Sequence, residues 1–376
     1  MRPFQIRLLA IGVAACSSAA FAGDLTPPGA PGPTMKSLDV VEARTPIFAA
    51  DLPLTISQPG SYYLAENIVT GGGGITIAAS EVSIDLNGFS LAGGTGTGIQ
   101  DSGFRSNARV FNGSVRGWSG GGVVLDSVEG ALVFDVTTSG NGSQGICVNT
   151  GVVRNCVSTN DVLSFSTGSY ALAVTEGVIE SCAVIDSNGS GIWMGVNGTV
   201  RGVTVNNVAG NGVFLASGST LVDSTISTTG LDGVNGSSGV TINGVTVDSA
   251  GRDGVDTFTG ATITNSTFRF CSYNGVNARG GALITNNNAT SCGNGLVDGA
   301  GFRTENGGNR LDSNNAASCH RGFYVTESGD FLIRNTARNC SLGGYAEVGT
   351  SAYGTIITTN FSPITTTNPW VNFELP

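Results

Sequence analysis

Residues 212–274 divide into three stretches of 21: GVFLASGSTLVDSTISTTGLD, GVNGSSGVTINGVTVDSAGRD and GVDTFTGATITNSTFRFCSYN. Each opens Gly-Val, carries an aliphatic residue at its tenth place (Leu221, Ile242, Ile263) and closes on Asp or Asn. The same phase gives turn starts at Gly191, Gly212, Gly233, Gly254 and Gly275, with Tyr170 one step earlier. Less regular starts follow at Gly295, Gly322 and about Gly344, and precede at Gly145, Gly122, Gly98 and Gly74. A unit this short cannot bury its own apolar face. It must stack on copies of itself, so the recurrence predicts a solenoid of about twelve turns.

The alternation inside each unit has period two. In VTINGVTV, Val240 and Ile242 share a face, as do Val245 and Val247 after the Asn243-Gly244 break. Short runs rich in Val, Ile and Thr between Asn-Gly or Asp-Gly pairs are strands, not helical repeats. Leucine-rich repeats have a similar length, but their leucine framework is missing. The fold class is therefore all-β, a parallel β-helix with mostly 21 residues per coil, spanning about residues 47–349. Coils stacked ~4.8 Å apart make a rod roughly 55–60 Å long, and parallel crossovers favour the right hand. The residues ahead of the turn glycines form a series: Ser190, Asn211, Asp232, Asp253, Asn274, Asn294. Asn and Asp tolerate left-handed backbone and bond their own turns, and in a stack they can also bond one another along the rod.

Only 12% of residues are charged and the net charge is −10. No basic block occurs, which argues against nucleic acid and anionic membranes as partners. The first 22 residues read as a signal peptide, with Arg2 and Arg7, an apolar run from Leu8 to Ala15, and Ala20-Phe21-Ala22 before Gly23. The chain is expected to be exported, to the periplasm, the cell surface or the medium. Val13-Ala14-Ala15-Cys16 offers a second reading, a lipobox with a lipid anchor on Cys16. Residues 23–46 form a Pro/Gly-rich linker and a short capping segment, with a helix from Thr34 through Ala43. No later segment is apolar enough to cross a membrane. Both ends of a solenoid need covering. Residues 34–73 are assigned to one lid and 350–376 to the other cap, where Trp370 and Phe373 would close the core.

The coil pattern resembles the right-handed parallel β-helix repeat proteins, an architecture shared with pectate lyases and polygalacturonases. The segments PGPTMKSLDVVEARTPI, ISQPGSYYLAENI, VSIDLNGFSLAGG and NPWVNFELP resemble exported bacterial β-helix proteins of unassigned activity. The resemblance specifies the fold; activity has to come from a site.

Cys156 and Cys182 occupy equivalent places in successive coils, and Cys271–Cys292 and Cys319–Cys340 are each 21 apart. Stacked residues ~5 Å apart fall within disulfide reach, and export permits bridging; Cys147 would be left over. Zinc is disfavoured, because His320 is the sole histidine and no Cys-x-x-Cys occurs. His320 is also the only available triad base, and no nucleophile elbow accompanies it. The polygalacturonase paired-Asp, Gly-His-Gly and Arg-Ile-Lys signatures are missing; STNDV around Asp161 and LIRN around Arg334 are faint echoes. The best ligand-binding constellation is GRDGVD, with Arg252, Asp253 and Asp256, joined by Asp232 one coil before and Arg279 one coil after. Stacked carboxylates at a turn reaching solvent would repel, raising a pKa or recruiting a cation. Calcium at Asp232, Asp253 and Asp256 is the one cofactor this suggests. Three functions compete: a rod binding polysaccharide or a cell-surface component along one face, a polysaccharide lyase or related carbohydrate-active enzyme, and a purely structural surface protein.

Overall fold

Each coil lays down three short strands, and each strand pairs in parallel with its copy one coil away. Val234–Gly236, Thr241–Asn243 and Thr246–Ala250 make one coil. They pair with Val255–Thr257, Thr262–Thr264 and Thr267–Arg269 of the next. Register is kept residue by residue: Val234 faces Val255, Ile242 faces Ile263, and Val247 faces Phe268. Val240 and Val245, expected within strands, lie just ahead of two of them, yet both are fully buried. The turns are so tight that the residue entering a strand already points inward.

This computed structural model describes residues 42–376, apart from 163–168, 294–297, 350 and 360–363. The expected signal peptide, lipobox and linker therefore lie outside the described residues, as do Gly295 and Asn294. So does the capping helix, except for Glu42 and Ala43, which are not helical. Among the described residues the only helical element is a single turn of 3-10 helix, Ala49–Asp51, and none is a helix long and apolar enough to cross a membrane.

Three sheets run along the rod. Among the described residues the first contains fourteen stacked strands, from Leu54–Ile56 to Tyr345–Ala346. That exceeds the expected twelve because residues 45–73, read as a lid, are themselves coil, with strands at Thr45–Ile47, Leu54–Ile56, Gly60–Leu64 and Ile68–Val69. The turn start expected at Gly295 is taken instead by Gly301, since Val276 pairs with Phe302. The turn glycines are required by close approach. A Cβ on Gly254 would sit 2.5 Å from the Gly275 carbonyl oxygen and 2.9 Å from Cys271 Sγ.

Inward positions carry columns of Ile, Val and Leu, nearly all fully buried. Towards the C-terminal end the first sheet changes to stacked rings, Phe302–Phe323 at 5.2 Å and Phe323–Tyr345 at 5.0 Å. The third sheet there narrows to Ala289, Ala316 and Ala337, stacked in register. Large rings on one wall face small residues on the other, which keeps packing density constant.

The turn between the second and third sheets holds a buried amide column. Asn287, Asn314, Asn335 and Asn372 each accept the backbone N–H of the previous coil, at 2.9–3.0 Å. Asn372 belongs to the C-terminal strand Asn372–Leu375, which pairs with Thr336–Arg338 and with Ile356–Thr358. The tail read as a separate cap thus adds a further rung. Because Asn372 is fixed in the amide column, Trp370 is left half-exposed rather than closing the core, and Phe373 becomes a strand residue.

Candidate functional site

The series ahead of the turn glycines is a hydrogen-bonded column. Ser190 Oγ accepts the Asn211 N–H (3.2 Å), Asn211 Oδ1 the Asp232 N–H (3.1 Å), and Asp232 Oδ1 the Asp253 N–H (3.2 Å). Asp253 Oδ1 accepts both the N–H and Nδ2 of Asn274, at 2.9 and 2.8 Å, and Asn274 Oδ1 accepts the Ala300 N–H. None of Asn211, Asp232, Asp253 and Asn274 has a positive φ. The column exists for the neighbouring coil, not for a left-handed turn.

Asp232 and Asp253 are therefore neighbours, as their spacing requires, but they face amides rather than solvent. They are 1% and 3% exposed, and Asp256 is 8% exposed, which corrects the expectation of carboxylates reaching water. Burial, with the Asp232 charge adding to it, pushes the Asp253 carboxyl up to about 6 despite the Asn274 bonds. Asp256 is also raised, by burial first, against the opposing pull of Arg279. Arg252 Nε lies 3.8 Å from Asp232 Oδ1, and Arg279 Nη1 bonds Asp256 Oδ1 at 2.8 Å. The carboxylate oxygens are turned to these protein donors, and among the described residues no group of three or more His, Cys, Asp or Glu is arranged to hold a metal ion.

Asp256 is the member of this group that looks outward from the rod. The middle residues of the first-sheet strands form one outward column: Trp193, Phe214, Asn235, Asp256, Asn277, Arg303 and Tyr324. Six coil steps make this strip roughly 29 Å long. Tyr170 leans on both Trp193 and Phe214, with ring centroids 6.4 Å apart in each case. Further along, Asn277 Nδ2 donates to Asp256 Oδ1 (3.0 Å) and Arg279 also bonds Glu305 (3.2 Å). Arg303 bonds Glu305 (3.0 Å) and lies over the Tyr324 ring, 5.6 Å from its centroid. Arg321 covers the same ring at 4.7 Å and faces Asp298 at 3.6 Å.

Two buried polar atoms in the strip have no hydrogen-bond partner: Asn277 Oδ1 and Arg303 Nε, on neighbouring rungs. Buried polar atoms are nearly always paired; Thr257 Oγ1 and Thr304 Oγ1, on the same strands as Asp256 and Arg303, share this state, and all four atoms lie beneath the surface. Spacing had picked out Asp256 and Arg279 but missed Asn277, Arg303, Tyr324, Trp193 and Phe214. The 21-residue step links Trp193 through Asn277, so five of the column could have been found by applying it to outward positions. Arg303 and Tyr324 could not, because 26 residues separate Asn277 from Arg303.

The other chemistry-bearing residues have structural surroundings. Asp161 is buried and accepts from Ser158 Oγ (2.6 Å), Thr138 Oγ1 (2.5 Å), and the N–H and Nδ2 of Asn141 (2.9 and 2.8 Å). Arg334 grips Asp312, and His320 Nδ1 meets Ser341 Oγ at 3.1 Å on the surface. Cys147, Cys156, Cys182, Cys271, Cys292, Cys319 and Cys340 are free thiols. Strand register places Cys156 opposite Cys182, Cys271 opposite Cys292 and Cys319 opposite Cys340, as the spacing implied. It also places Cys292 opposite Cys319, because the coil between them is 27 residues long. The C-terminal four therefore form one continuous column rather than two separate pairs.

A family profile described as "Right handed beta helix region" matches residues 87–235 and 229–372. No curated protein matches the chain in sequence. Among solved structures, an alginate lyase from Paenibacillus sp. str. FPU-7 is similar at 14% identity and a TM-score of 0.40, covering 83% of this chain and 100% of the lyase. The A-module of an Azotobacter vinelandii mannuronan C-5 epimerase is similar at 13% identity and TM-score 0.37, covering 89% and 87%. The siphovirus 9NA tailspike receptor binding domain gives 11% and 0.37, covering 89% and 80%. Likenesses this distant do not bear on what the chain does.

Proposed function

Since the chain belongs to the right-handed β-helix family, we propose that it is an exported rod that binds a polysaccharide along the outward face of its first sheet. The observation that carries this reading is the outward column of the first sheet, in which the half-buried rings of Trp193 and Phe214 lie on the same strip as Asn277, Arg303 and Tyr324. The Arg303 side chain, 28% exposed, offers guanidinium N–H donors to sugar hydroxyls. Trp193 and Phe214, farther along the same column, add flat apolar surface of the kind a sugar ring covers. A linear chain laid along the strip would meet both.

Charges on the strip are nearly balanced. Arg279, Arg303 and Arg321 each face a carboxylate, so they are fixed, protonated donors and better suited to gripping a ligand than to taking a proton from it. Binding is thus favoured over the lyase reading.

Retention on immobilised polysaccharides, followed by calorimetry on whatever is retained, tests the proposal. Arg303→Ala and Asn277→Ala should each weaken binding by about tenfold or more, the equivalent of ~1.4 kcal/mol. A chain that retains no polysaccharide, or two variants that bind like the wild type, would overturn it. A parallel assay for unsaturated sugar ends would reveal turnover and transfer the case to the lyase reading. Fractionation with N-terminal sequencing checks export, where a mature chain beginning at Gly23 is the expected result.

A further inference from the structure

A concave surface lies on the second sheet, at the C-terminal end of the rod. It is a cleft of about 480 Å³ lined by Arg310, Phe331, Tyr353, Thr355, Asn368 and Trp370, among others. Phe331, Tyr353 and Trp370 are 39%, 46% and 50% exposed. Three large rings left uncovered in one cleft usually mark a surface that something binds.

The rings are held in place. Arg310 lies over Phe331, 5.4 Å from its centroid, and Arg334 over Trp370 at 5.5 Å. Both guanidiniums bond Asp312, Arg310 Nη2 at 2.8 Å and Arg334 Nε at 2.7 Å. Burial alone would raise the Asp312 carboxyl, but hydrogen bonds from Arg334, Arg310 and Ser313 outweigh it and hold it at about 2. The Trp370 backbone is pinned as well. Asn368 Oδ1 accepts its N–H at 3.0 Å, and its carbonyl oxygen sits where a Cβ on Gly354 would fall. Phe331 and Trp370 each carry a cation that is itself neutralised, and both rings line the cleft.

The chemistry of the occupant follows from that arrangement. Because Asp312 engages both arginines, no strongly charged ligand is called for. A purely apolar ligand would strand Arg310, Thr355 and Asn368 at the rim. A pyranose ring presents an apolar C–H face and an edge of hydroxyls, which matches rings flanked by polar groups. We propose that this cleft is a second glycan site, stacking one or two uncharged sugar rings on Trp370 and Tyr353 while Arg310 and Asn368 bond their hydroxyls. It stands on observations independent of the first-sheet strip, and a chain held at both places would gain avidity.

The probes are cellohexaose, xylohexaose and mannohexaose, added to the full chain carrying Trp193→Phe. Emission then reports on Trp370 and on the fully buried Trp118. At least one hexasaccharide should shift the emission to shorter wavelength. Calorimetry should show about a tenfold or greater loss in both Trp370→Ala and Tyr353→Ala, with thermal melts confirming that the variants fold. Phe104→Ala, at an 87% exposed ring elsewhere, should bind unchanged. No shift with any probe at millimolar concentration, or a shift with wild-type affinity in Trp370→Ala, overturns the proposal. Either result leaves the effect of Arg303→Ala to be judged separately.

Discussion

Asp253 shows how a stacked fold changes the meaning of a single residue. Its carboxyl accepts two bonds from Asn274, an arrangement an asparagine Oδ1 could also accept, yet it carries a charge in a buried column and titrates at about 6. The folded state then binds a proton more tightly than the unfolded chain does. The group therefore costs stability above about pH 6, and that cost disappears as the pH falls towards the usual carboxylate range. Asp253→Asn should raise the melting temperature at pH 7.5, by an amount equivalent to ~1–3 kcal/mol. It should also abolish the gain that the wild type shows from this group between pH 7 and 5. Calorimetric melts at three pH values check both. A lower melting temperature for the variant at pH 7.5 would mean that the charge stabilises the column. The sequence made Asp232 and Asp253 neighbours, but whether their side chains faced water or the next amide depended on how the turn backbone was placed.

At the scale of an element, the Asn287–Asn314–Asn335–Asn372 column binds one coil to the next where no sheet ladder runs. Asn314 is 1% exposed. Its Oδ1 takes the N–H and Nδ2 of Asn287, and its Nδ2 gives to Ile284 O (2.8 Å) and Asn335 Oδ1 (3.1 Å). Removing it strands several buried partners at ~1–3 kcal/mol each, so Asn314→Ala should cost at least ~3 kcal/mol. The neighbouring Asn315 is exposed, and its Nδ2 donates to Asn288 Oδ1 at 2.7 Å; Asn315→Ala should cost under ~1 kcal/mol. Denaturant titrations of the two variants make the comparison, and equal costs would remove the column from any account of stability. This column was hidden in the sequence, because Asn287 and Asn314 are 27 residues apart and Asn372 arrives from the tail.

For the whole molecule, stability is close to a sum over coils and the interfaces between them, so its ends are its vulnerable points. The strand Asn372–Leu375 fills the edge of Thr336–Arg338 and is covered in turn by Ile356–Thr358. Deleting residues 370–376 would open that edge to pairing with another molecule. The truncated chain should melt several degrees lower and self-associate in light scattering; a monomer of unchanged melting temperature would show that the last rung does not close the rod.

The 21-residue spacing by itself determined the coil, the parallel strands, the stacking of Ile263 on Ile242, the side-by-side placing of Asp232 and Asp253 and the Asp256–Arg279 contact. It could do so because a period equal to one coil turns sequence separation directly into a distance of ~4.8 Å. Only the tertiary structure decided what lay outside that period. The longer coil after Gly275 brought Asn277 beside Arg303 and Cys292 beside Cys319, and the returning tail set Trp370 beside Arg334. Which side of a turn faces solvent was also decided there, since it depends on backbone placement to within a fraction of a coil step.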